Sequence, residues 1–184
     1  ASIRGADFYV PERVVTNDFF EQRNPFFKFD ADGNEVLENG KPKEVYTSDA
    51  DIQKLMGIRE RRWVEDNQFV EDLGERAARK LLERTGVDPK DLEGIIVATV
   101  TPHYGYPNTA QLIQMRLGAR NANYGFDIAD ACAGFSYALH MSEQQMAERP
   151  GLYLIVAAEI LSRALDLRDA NSPLFWGRRW RCFA

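Results

Sequence analysis

Short apolar runs that alternate with helix-like stretches constrain the fold of this chain more than any other feature. Residues 94–100 and 152–158 are continuously apolar, and residues 124–128 also have strand-forming character. A continuous apolar run of this length is typical of a strand buried on both faces of a sheet. Helices that alternate with such strands predict an α/β layered domain with a largely parallel sheet.

Local signals mark the ends of three predicted helices. The first has apolar residues at helical spacing from Val70 onward and ends at Gly86. Asn108 can cap the second, which ends at Gly118. The third begins at or just after Cys132. The apolar positions of the three helices are Leu73, Ala77 and Leu81, then Leu112, Ile113 and Leu117, then Phe135, Ala138, Leu139 and Met146.

The first third of the chain has a different character. Residues 3–10 and 13–16 are strand-forming, whereas residues 24–46 are rich in turn dipeptides and predict a surface insertion. We expect a hairpin in this insertion, with Glu35–Leu37 in one arm. The acidic segment 30–34 suggests a calcium loop, but its glycine is fourth rather than sixth, so a plain turn is predicted.

Composition limits the classes of partner and compartment. The 184 residues suffice for one domain with a substantial core, or for half of a larger one. The net charge is −5, and before the tail at 178–184 the only basic tract is Arg59–Arg62, which argues against a nucleic-acid partner. No apolar run approaches the roughly 20 residues that span a bilayer, and the N-terminus has no signal-peptide core. We therefore expect no membrane insertion. Two cysteines, Cys132 and Cys182, do not make a disulfide framework, so we expect a cytoplasmic protein.

Cys132 is the candidate nucleophile. It follows a predicted strand and lies where a helix begins, and unpaired N–H groups at a helix N-terminus favour the thiolate, which is the nucleophilic form. The small residues Ala133 and Gly134 would let a substrate approach the backbone. The Cys132 N–H would point toward the oxyanion of a reacting thioester. The alternative is that Cys132 is a small buried core residue.

A base for this cysteine is harder to find. The chain has two histidines, and His140 lies about 12 Å beyond Cys132 along the same predicted helix. His103 follows a buried strand and is a candidate site residue of undefined role. The sequence has no metal-ligand spacing, P-loop or G-x-G-x-x-G pattern, so no cofactor or metal is predicted.

Several blocks of sequence resemble the β-ketoacyl-acyl carrier protein synthase III family. They occur in the family's order and are Tyr9–Asn17, Thr47–Asp49, Gly57–Arg62, Tyr106-Pro107 with Ala110–Gln114, and Asp127–Leu139. The resemblance implies a thiolase-like fold in a layered α/β/α/β/α architecture, with residues 1–177 as its N-terminal βαβαβαββ half. It also implies a homodimer that starts fatty acid biosynthesis by decarboxylative condensation.

The resemblance also assigns roles to individual residues. Cys132 would take the acyl group from an acyl-CoA or acyl-carrier-protein primer and pass it to malonyl-acyl carrier protein. Tyr106 matches a phenylalanine that closes the acyl pocket of the partner subunit, and Phe135 and Thr47 would also bind substrate. The histidine and asparagine of the family's Cys-His-Asn triad belong to the second half. Nothing here matches them, so full condensation by this chain alone is not expected.

Two departures from the family pattern affect the functional interpretation. Asp51, Leu55 and Ala170 replace a tryptophan and two arginines that hold the coenzyme A nucleotide, which implies weakened or different primer recognition. An acyl-carrier-protein primer is one option. Residues 178–184 replace a glycine-rich strand entry, and we interpret them as a frameshift truncation. The alternative is a genuine short C-terminus.

Two rival functions stay open. One is a non-catalytic half-protein that pairs with a separate second chain. The other is an acyltransferase or condensing enzyme of secondary metabolism.

Overall fold

The structure is a computed structural model that describes residues 2–173. The chain forms two compact units. One contains the residues up to 10 together with 66–159, and the other contains 11–65 together with the chain from 160 onward. The prediction of a single domain over residues 1–177 stays a prediction. The tail at 178–184 lies outside the described residues.

The helices and strands follow in chain order. The strands are β1 (Arg13–Thr16), β2 (Phe26–Phe27), β3 (Leu37–Glu38), β4 (Lys41–Pro42), β5 (Glu44–Val45), β6 (Glu60–Trp63), β7 (Leu92–Ala98), β8 (Tyr124–Ile128) and β9 (Leu152–Ala157). The helices are α1 (Asp18–Glu21), α2 (Asp49–Met56), α3 (Val70–Thr85), α4 (Thr109–Leu117) and α5 (Gly134–Glu148). None of these helices is both long and apolar enough to cross a membrane.

The first unit is built on a parallel sheet with strand order β8-β7-β9. Ile95 in the central strand pairs with Gly125 of β8 and with Leu154 of β9. Ile95, Ile96 and Val97 have no exposed surface, because β7 is covered on both faces. The α/β architecture and the three strands predicted from the apolar runs are therefore confirmed.

Helices cover both faces of this sheet. Helices α3 and α4 pack on the face that carries Ile95 and Val97, together with Leu154 and Val156 of β9. Helix α5 contacts the opposite face, where Gly134 meets Ala98. This arrangement places the C-terminal ends of the three strands, and the loops that follow them, at one edge of the sheet.

The predicted helix ends are confirmed where local signals are strong. The Asn108 side chain accepts the Gln111 N–H at 2.8 Å and caps α4. Gly86 and Gly118 end α3 and α4 with φ of 67° and 73°, a left-handed conformation that glycine adopts without steric penalty.

Helix α5 differs from expectation in what it buries. Among its predicted apolar positions Ala138 is fully buried, whereas Phe135 and Leu139 remain 49% and 38% exposed. The predicted helix is confirmed, but the described residues do not cover all of its apolar face.

The N-terminal segment corrects a prediction. Residues 3–10 were expected to form a strand, but they form none. A strand needs a hydrogen-bonded neighbour, and this segment is held by side chains instead. The Asp7 carboxylate is 2.9 Å from Lys80 Nζ and 2.8 Å from Arg84 Nε, and Arg76 donates to the Tyr9 hydroxyl. The Lys80 ammonium, the Phe8 N–H and the Arg84 guanidinium hold the pKa of Asp7 well below its usual range.

An open cavity of about 560 Å³ borders this segment. Residues 2–7 form one wall, and β9 with parts of α3 and α5 forms the rest. In the part of the chain that the structure describes, the outer edge of β9 has no strand beside it, and the cavity lies next to this strand.

The second unit has its own small core. Strand β1 pairs antiparallel with β6, which confirms the strand predicted at 13–16. Arg61 donates to the buried Asn17 side chain at 2.8 Å and to the carbonyl of Pro173, and burial lowers the pKa of Arg61. The core residues are Val15, Phe20, Phe26, Ile52 and Trp63.

The segment 24–46 contains the expected hairpin. Strands β3 and β4 pair antiparallel around a turn at Asn39 and Gly40, with Leu37 in one arm. Asp30 accepts the N–H groups of Asp32 and Asn34, each at 2.9 Å, so its carboxylate closes a turn. That this segment is an insertion stays a prediction.

Candidate active site

Cys132 lies in a strand–turn–helix connection. Strand β8 ends at Ile128, a single 3-10 turn covers Ala131–Ala133, and α5 begins at Gly134. The cysteine is exposed to solvent, so the alternative of a buried core cysteine is wrong. The helix begins two residues later than the earliest predicted start, because the 3-10 turn comes first.

The backbone at this turn is strained. Ala131 has φ of 41°, in the left-handed region that costs an alanine roughly 1–2 kcal/mol. The Ala133 N–H donates to the carbonyl of Asp130 at 3.0 Å and closes the turn. A strained residue directly before an exposed nucleophile is a feature of sites where the backbone holds a reactive group in one position.

Gly134 lets the turn sit close to the sheet. A Cβ added at Gly134 would lie 3.0 Å from the Cβ of Ala98, the last residue of β7. A larger residue here would push the first turn of α5, and Cys132 with it, away from the strand ends.

A second loop reaches the same edge of the sheet. We call residues 99–108, between β7 and α4, the Tyr106 loop. Glu159 fixes its start: one carboxylate oxygen accepts the Val100 N–H at 2.9 Å, and the other accepts the Thr101 hydroxyl at 2.6 Å. Glu159 follows β9, so the ends of two neighbouring strands are tied together.

Strand β8 fixes the other end of the Tyr106 loop. The two carboxylate oxygens of Asp127 accept the N–H groups of Thr109 and Ala110, each at 2.8 Å. The Asn108 side chain donates to the carbonyl of Gly125 at 3.1 Å. Asp127 is therefore an additional cap on α4, and it connects the Tyr106 loop to the strand that leads to Cys132.

The middle of the Tyr106 loop is held by His103. Its Nδ1 is 2.9 Å from Glu71 Oε1 at the start of α3, and its ring stacks on Phe69. His140, the other histidine, is exposed on α5. Within residues 2–173 no hydrogen bond joins either histidine to Cys132, and no group of three His, Cys, Asp or Glu side chains could hold a metal ion.

The predicted substrate-binding aromatics are exposed. Tyr106 is 86% exposed at the tip of its loop, and Phe135 projects from the first turn of α5. Sequence reasoning singled out both, but it missed Glu71, Asp127 and Glu159 as the residues that hold the loop. The signal for Asp127 was present, since an acidic residue in a strand of otherwise apolar or small residues needs a buried partner.

The positions that the resemblance relates to nucleotide binding lie in the other compact unit. Thr47 is buried, and its backbone pairs with the Asn24 side chain through bonds of 2.9 and 2.7 Å. Asp51 accepts the Ser48 N–H and hydroxyl and so caps α2, which keeps the pKa of Asp51 below its usual value. Leu55 is exposed on that helix, and Ala170 packs against the small core. Asp51 thus has a local structural role.

Comparison with known proteins identifies the relatives of this chain. Residues 126–177, which include the Cys132 turn, match the family model of 3-oxoacyl-[acyl-carrier-protein] synthase III. The β-ketoacyl-[acyl-carrier-protein] synthase III of Caldanaerobacter subterraneus subsp. tengcongensis is 37% identical over 180 residues, which cover 96% of this chain and 47% of that protein. By sequence and by fold, this chain belongs to the β-ketoacyl-acyl carrier protein synthase III family, as its N-terminal half.

Solved structures of synthase III relatives agree. The enzyme from Thermus thermophilus superposes with a TM-score of 0.77 at 31% identity, over 96% of this chain and 48% of that one. A priming β-ketosynthase of the R1128 polyketide pathway gives 0.76 at 29% identity, over 94% and 46%. The fold is therefore thiolase-like, and the chain spans about half the length of the synthase III relatives it matches.

Proposed function

We propose that this chain supplies the acyl-accepting half of a β-ketoacyl-acyl carrier protein synthase III-type acyltransferase, with Cys132 as the acyl carrier. The observation that carries the proposal is the exposed cysteine at a strained turn between β8 and α5. The family match over the same segment supports it.

The acylation step uses the cysteine thiolate. Cys132 Sγ attacks the carbonyl carbon of a primer thioester, and a new C–S bond forms. The bond from that carbon to the carrier sulfur breaks, and the carrier leaves as a thiol after taking a proton. Exchange of one thioester for another is nearly balanced in free energy, so a positioned thiolate suffices. The Cys132 N–H is the expected donor to the oxyanion.

Condensation needs more than acylation. Loss of carbon dioxide from malonyl-acyl carrier protein leaves a carbanion, whose negative charge must be stabilised by hydrogen-bond donors. The family's histidine and asparagine would supply these donors, and no residue of this chain matches them. We therefore assign acylation to these residues, and condensation to a protein that also contains the second half.

Primer recognition is expected to differ from that of relatives that use coenzyme A. Leu55 and Ala170 offer no cation to the nucleotide, and Asp51 places a carboxylate where the family has an aromatic ring. A primer carried by acyl carrier protein avoids the need for nucleotide contacts. Thr47 is the remaining position of the nucleotide set, and we retain it as a substrate-binding residue.

Intact-protein mass spectrometry tests acylation directly. Incubation with acetyl-coenzyme A or acetyl-acyl carrier protein should add one acetyl group, and the carrier-bound primer should react faster. Cys132→Ser should abolish the adduct, because a serine hydroxyl is far less nucleophilic than a thiolate. Cys182→Ser is the matched control and should retain the adduct. An unmodified protein with both primers, or an adduct that survives Cys132→Ser, would contradict the proposal.

A second candidate function is priming in secondary metabolism. The polyketide-priming ketosynthase resembles this chain as closely in fold as the Thermus enzyme does. Branched or long acyl primers that acylate Cys132 faster than acetyl primers would favour this function. Preference for acetyl would favour fatty acid biosynthesis.

Assembly and location follow as proposals from the same family role. We expect a homodimer in the cytoplasm, in which Tyr106 of one subunit borders the acyl site of the other. The rival is a non-catalytic half-protein that pairs with a separate chain. Sedimentation velocity and acylation of the isolated chain together separate them, because a discrete dimer that acylates supports the first, and concentration-dependent association or aggregation without acylation supports the second.

A further inference from the structure

The middle of the Tyr106 loop is held by a single side chain. The His103 ring lies between two aromatic rings, with its centroid 3.4 Å from that of Phe69 and 3.8 Å from that of Tyr104. The ring planes of His103 and Phe69 are only 8° apart. Among the described residues, the bond from His103 Nδ1 to Glu71 is the only hydrogen bond made by any residue from 102 to 107.

The partner of His103 is an unusual carboxylate. Glu71 is 1% exposed, and its Oε2 atom has no hydrogen-bond partner in residues 2–173. The Arg116 guanidinium is 3.6 Å from Oε1 and makes a closer contact of 2.6 Å with Asp72. A buried carboxylate is costly unless it is paired, and within the described part of the chain one group reaches Glu71 at hydrogen-bond distance. That group is His103.

This contact acts on Tyr106 through the chain. Tyr106 is three residues from His103, so its Cα lies within roughly 11 Å of the His103 Cα. The two ends of the Tyr106 loop are fixed by Glu159 and Asp127. Without the His103 contact, the segment that carries Tyr106 would lack any described hydrogen bond and would sample several conformations.

We propose that His103 is a positioning residue: through Glu71 and Phe69 it fixes the place of Tyr106 and thereby determines which primer acyl chains Cys132 of the partner subunit accepts. This inference rests on the proposed function. It assigns His103 no proton transfer, because its Nδ1 bonds to Glu71 and its ring faces two aromatic residues.

Two variants change the contact to different extents. His103→Phe keeps an aromatic ring against Phe69 but loses the nitrogen, and with it the hydrogen bond. Glu71→Gln keeps the shape of the side chain and an amide oxygen that can accept from His103, but it replaces the carboxylate by a weaker, neutral acceptor. His140→Phe is the matched control, because it makes the same change at an exposed histidine. Backbone ¹⁵N order parameters of residues 103–106 should fall in His103→Phe, fall less in Glu71→Gln and stay unchanged in the control, because loss or weakening of the contact leaves the segment more mobile.

The preference of Cys132 among primers distinguishes a positioning role from a purely structural one, because a loss of stability alone would not change the ratio of acylation rates with two primers. The ratio of Cys132 acylation rates with octanoyl and acetyl primers should change about fivefold or more in His103→Phe, which is the range expected for a displaced contact, and in the same direction by a smaller factor in Glu71→Gln. In a Tyr106→Ala background, His103→Phe should have no further effect on this ratio, because His103 acts through Tyr106.

Each outcome bears on a separate claim. No acylation of the unaltered protein by any primer overturns the proposed function, and this inference with it. Acylation with an unchanged primer ratio in both variants overturns the positioning role alone. An undiminished effect of His103→Phe in the Tyr106→Ala background shows that His103 acts elsewhere, and it also overturns the inference.

Discussion

At the scale of single residues, the site depends on backbone conformation as much as on side-chain chemistry. Ala131 and Ala133 flank the nucleophile, but they differ in φ, which is 41° for Ala131 and −90° for Ala133. Glycine tolerates the first conformation better than alanine does, whereas alanine is better in the second.

The two alanines should therefore respond oppositely to the same substitution. Ala131→Gly relieves left-handed strain of roughly 1–2 kcal/mol and loses about 0.4–1 kcal/mol through the more flexible unfolded chain, so the free energy of unfolding should stay the same or rise by up to about 1.6 kcal/mol. Ala133→Gly, at a right-handed φ that alanine adopts without strain, should lower it by about 0.4–1 kcal/mol through the more flexible unfolded chain. Urea unfolding of both variants measures the difference, and equal destabilisation would show that Ala131 is not strained.

Some features of the site could be predicted from local sequence, and others could not. The position of Cys132 could be predicted, because a cysteine between a strand and a helix is visible as a pattern. The φ of Ala131 could not, since alanine has no preference for the left-handed region. The His103–Glu71 contact joins residues 32 positions apart, and no local pattern links them.

At the scale of elements, close packing decides which residue a helix can carry. Gly74 lies within α3, where glycine is about 1 kcal/mol less favourable than alanine. A Cβ added there would lie 2.7 Å from Ile113 Cδ1 of α4 and 3.0 Å from Val156 Cγ1 of β9. Gly74 is thus required by the approach of α3 to α4 and the sheet.

Gly74→Ala should destabilise the protein by about 1 kcal/mol, because the clash outweighs the gain in helix propensity. Ile113→Val removes the nearest atom, and alone it should cost about 0.5–1.5 kcal/mol. The double variant should be more stable than the sum of the two changes predicts. Equilibrium unfolding in urea measures all three, and strictly additive effects would exclude the clash.

Helices and strands that carry caps, glycine stops or long apolar runs could be predicted from the sequence. Strand formation that depends on a neighbouring strand elsewhere in the chain could not. Helices α3 and α4 carry their own caps and glycine stops, and β7 has an apolar run that only a buried strand explains. Residues 3–10 have strand-forming composition, but the described chain offers them no neighbouring strand. Composition shows that a segment can form a strand, and hydrogen bonding to a neighbouring strand decides whether the strand forms.

At the scale of the whole molecule, electrostatic contacts hold the N-terminal segment against α3. Asp7 interacts with Lys80 and Arg84, and these groups keep its pKa below the ordinary value. A carboxyl with a lowered folded-state pKa adds stability above its unfolded-state pKa of about 3.9, and this contribution is lost as the pH falls toward the folded-state value.

Asp7→Asn should therefore reduce the free energy of unfolding, and the reduction should be the same at pH 5 and pH 7 within the error of a urea unfolding measurement. The difference from the unaltered protein should shrink as the pH falls below about 3.9. In a Lys80→Met/Arg84→Met background the substitution should have little effect at any pH. Urea unfolding across this range is the measurement, and a difference that grows toward low pH would contradict the assignment.

The attachment of the Tyr106 loop at its two ends and its middle has a consequence for the speed of recognition. A loop that must first become ordered slows association and reduces affinity by the free energy of ordering. Glu159, Glu71 and Asp127 hold the loop before any partner arrives. A surface that approaches Tyr106 therefore meets a preformed contact, and encounters in the correct orientation can proceed to binding without a conformational search.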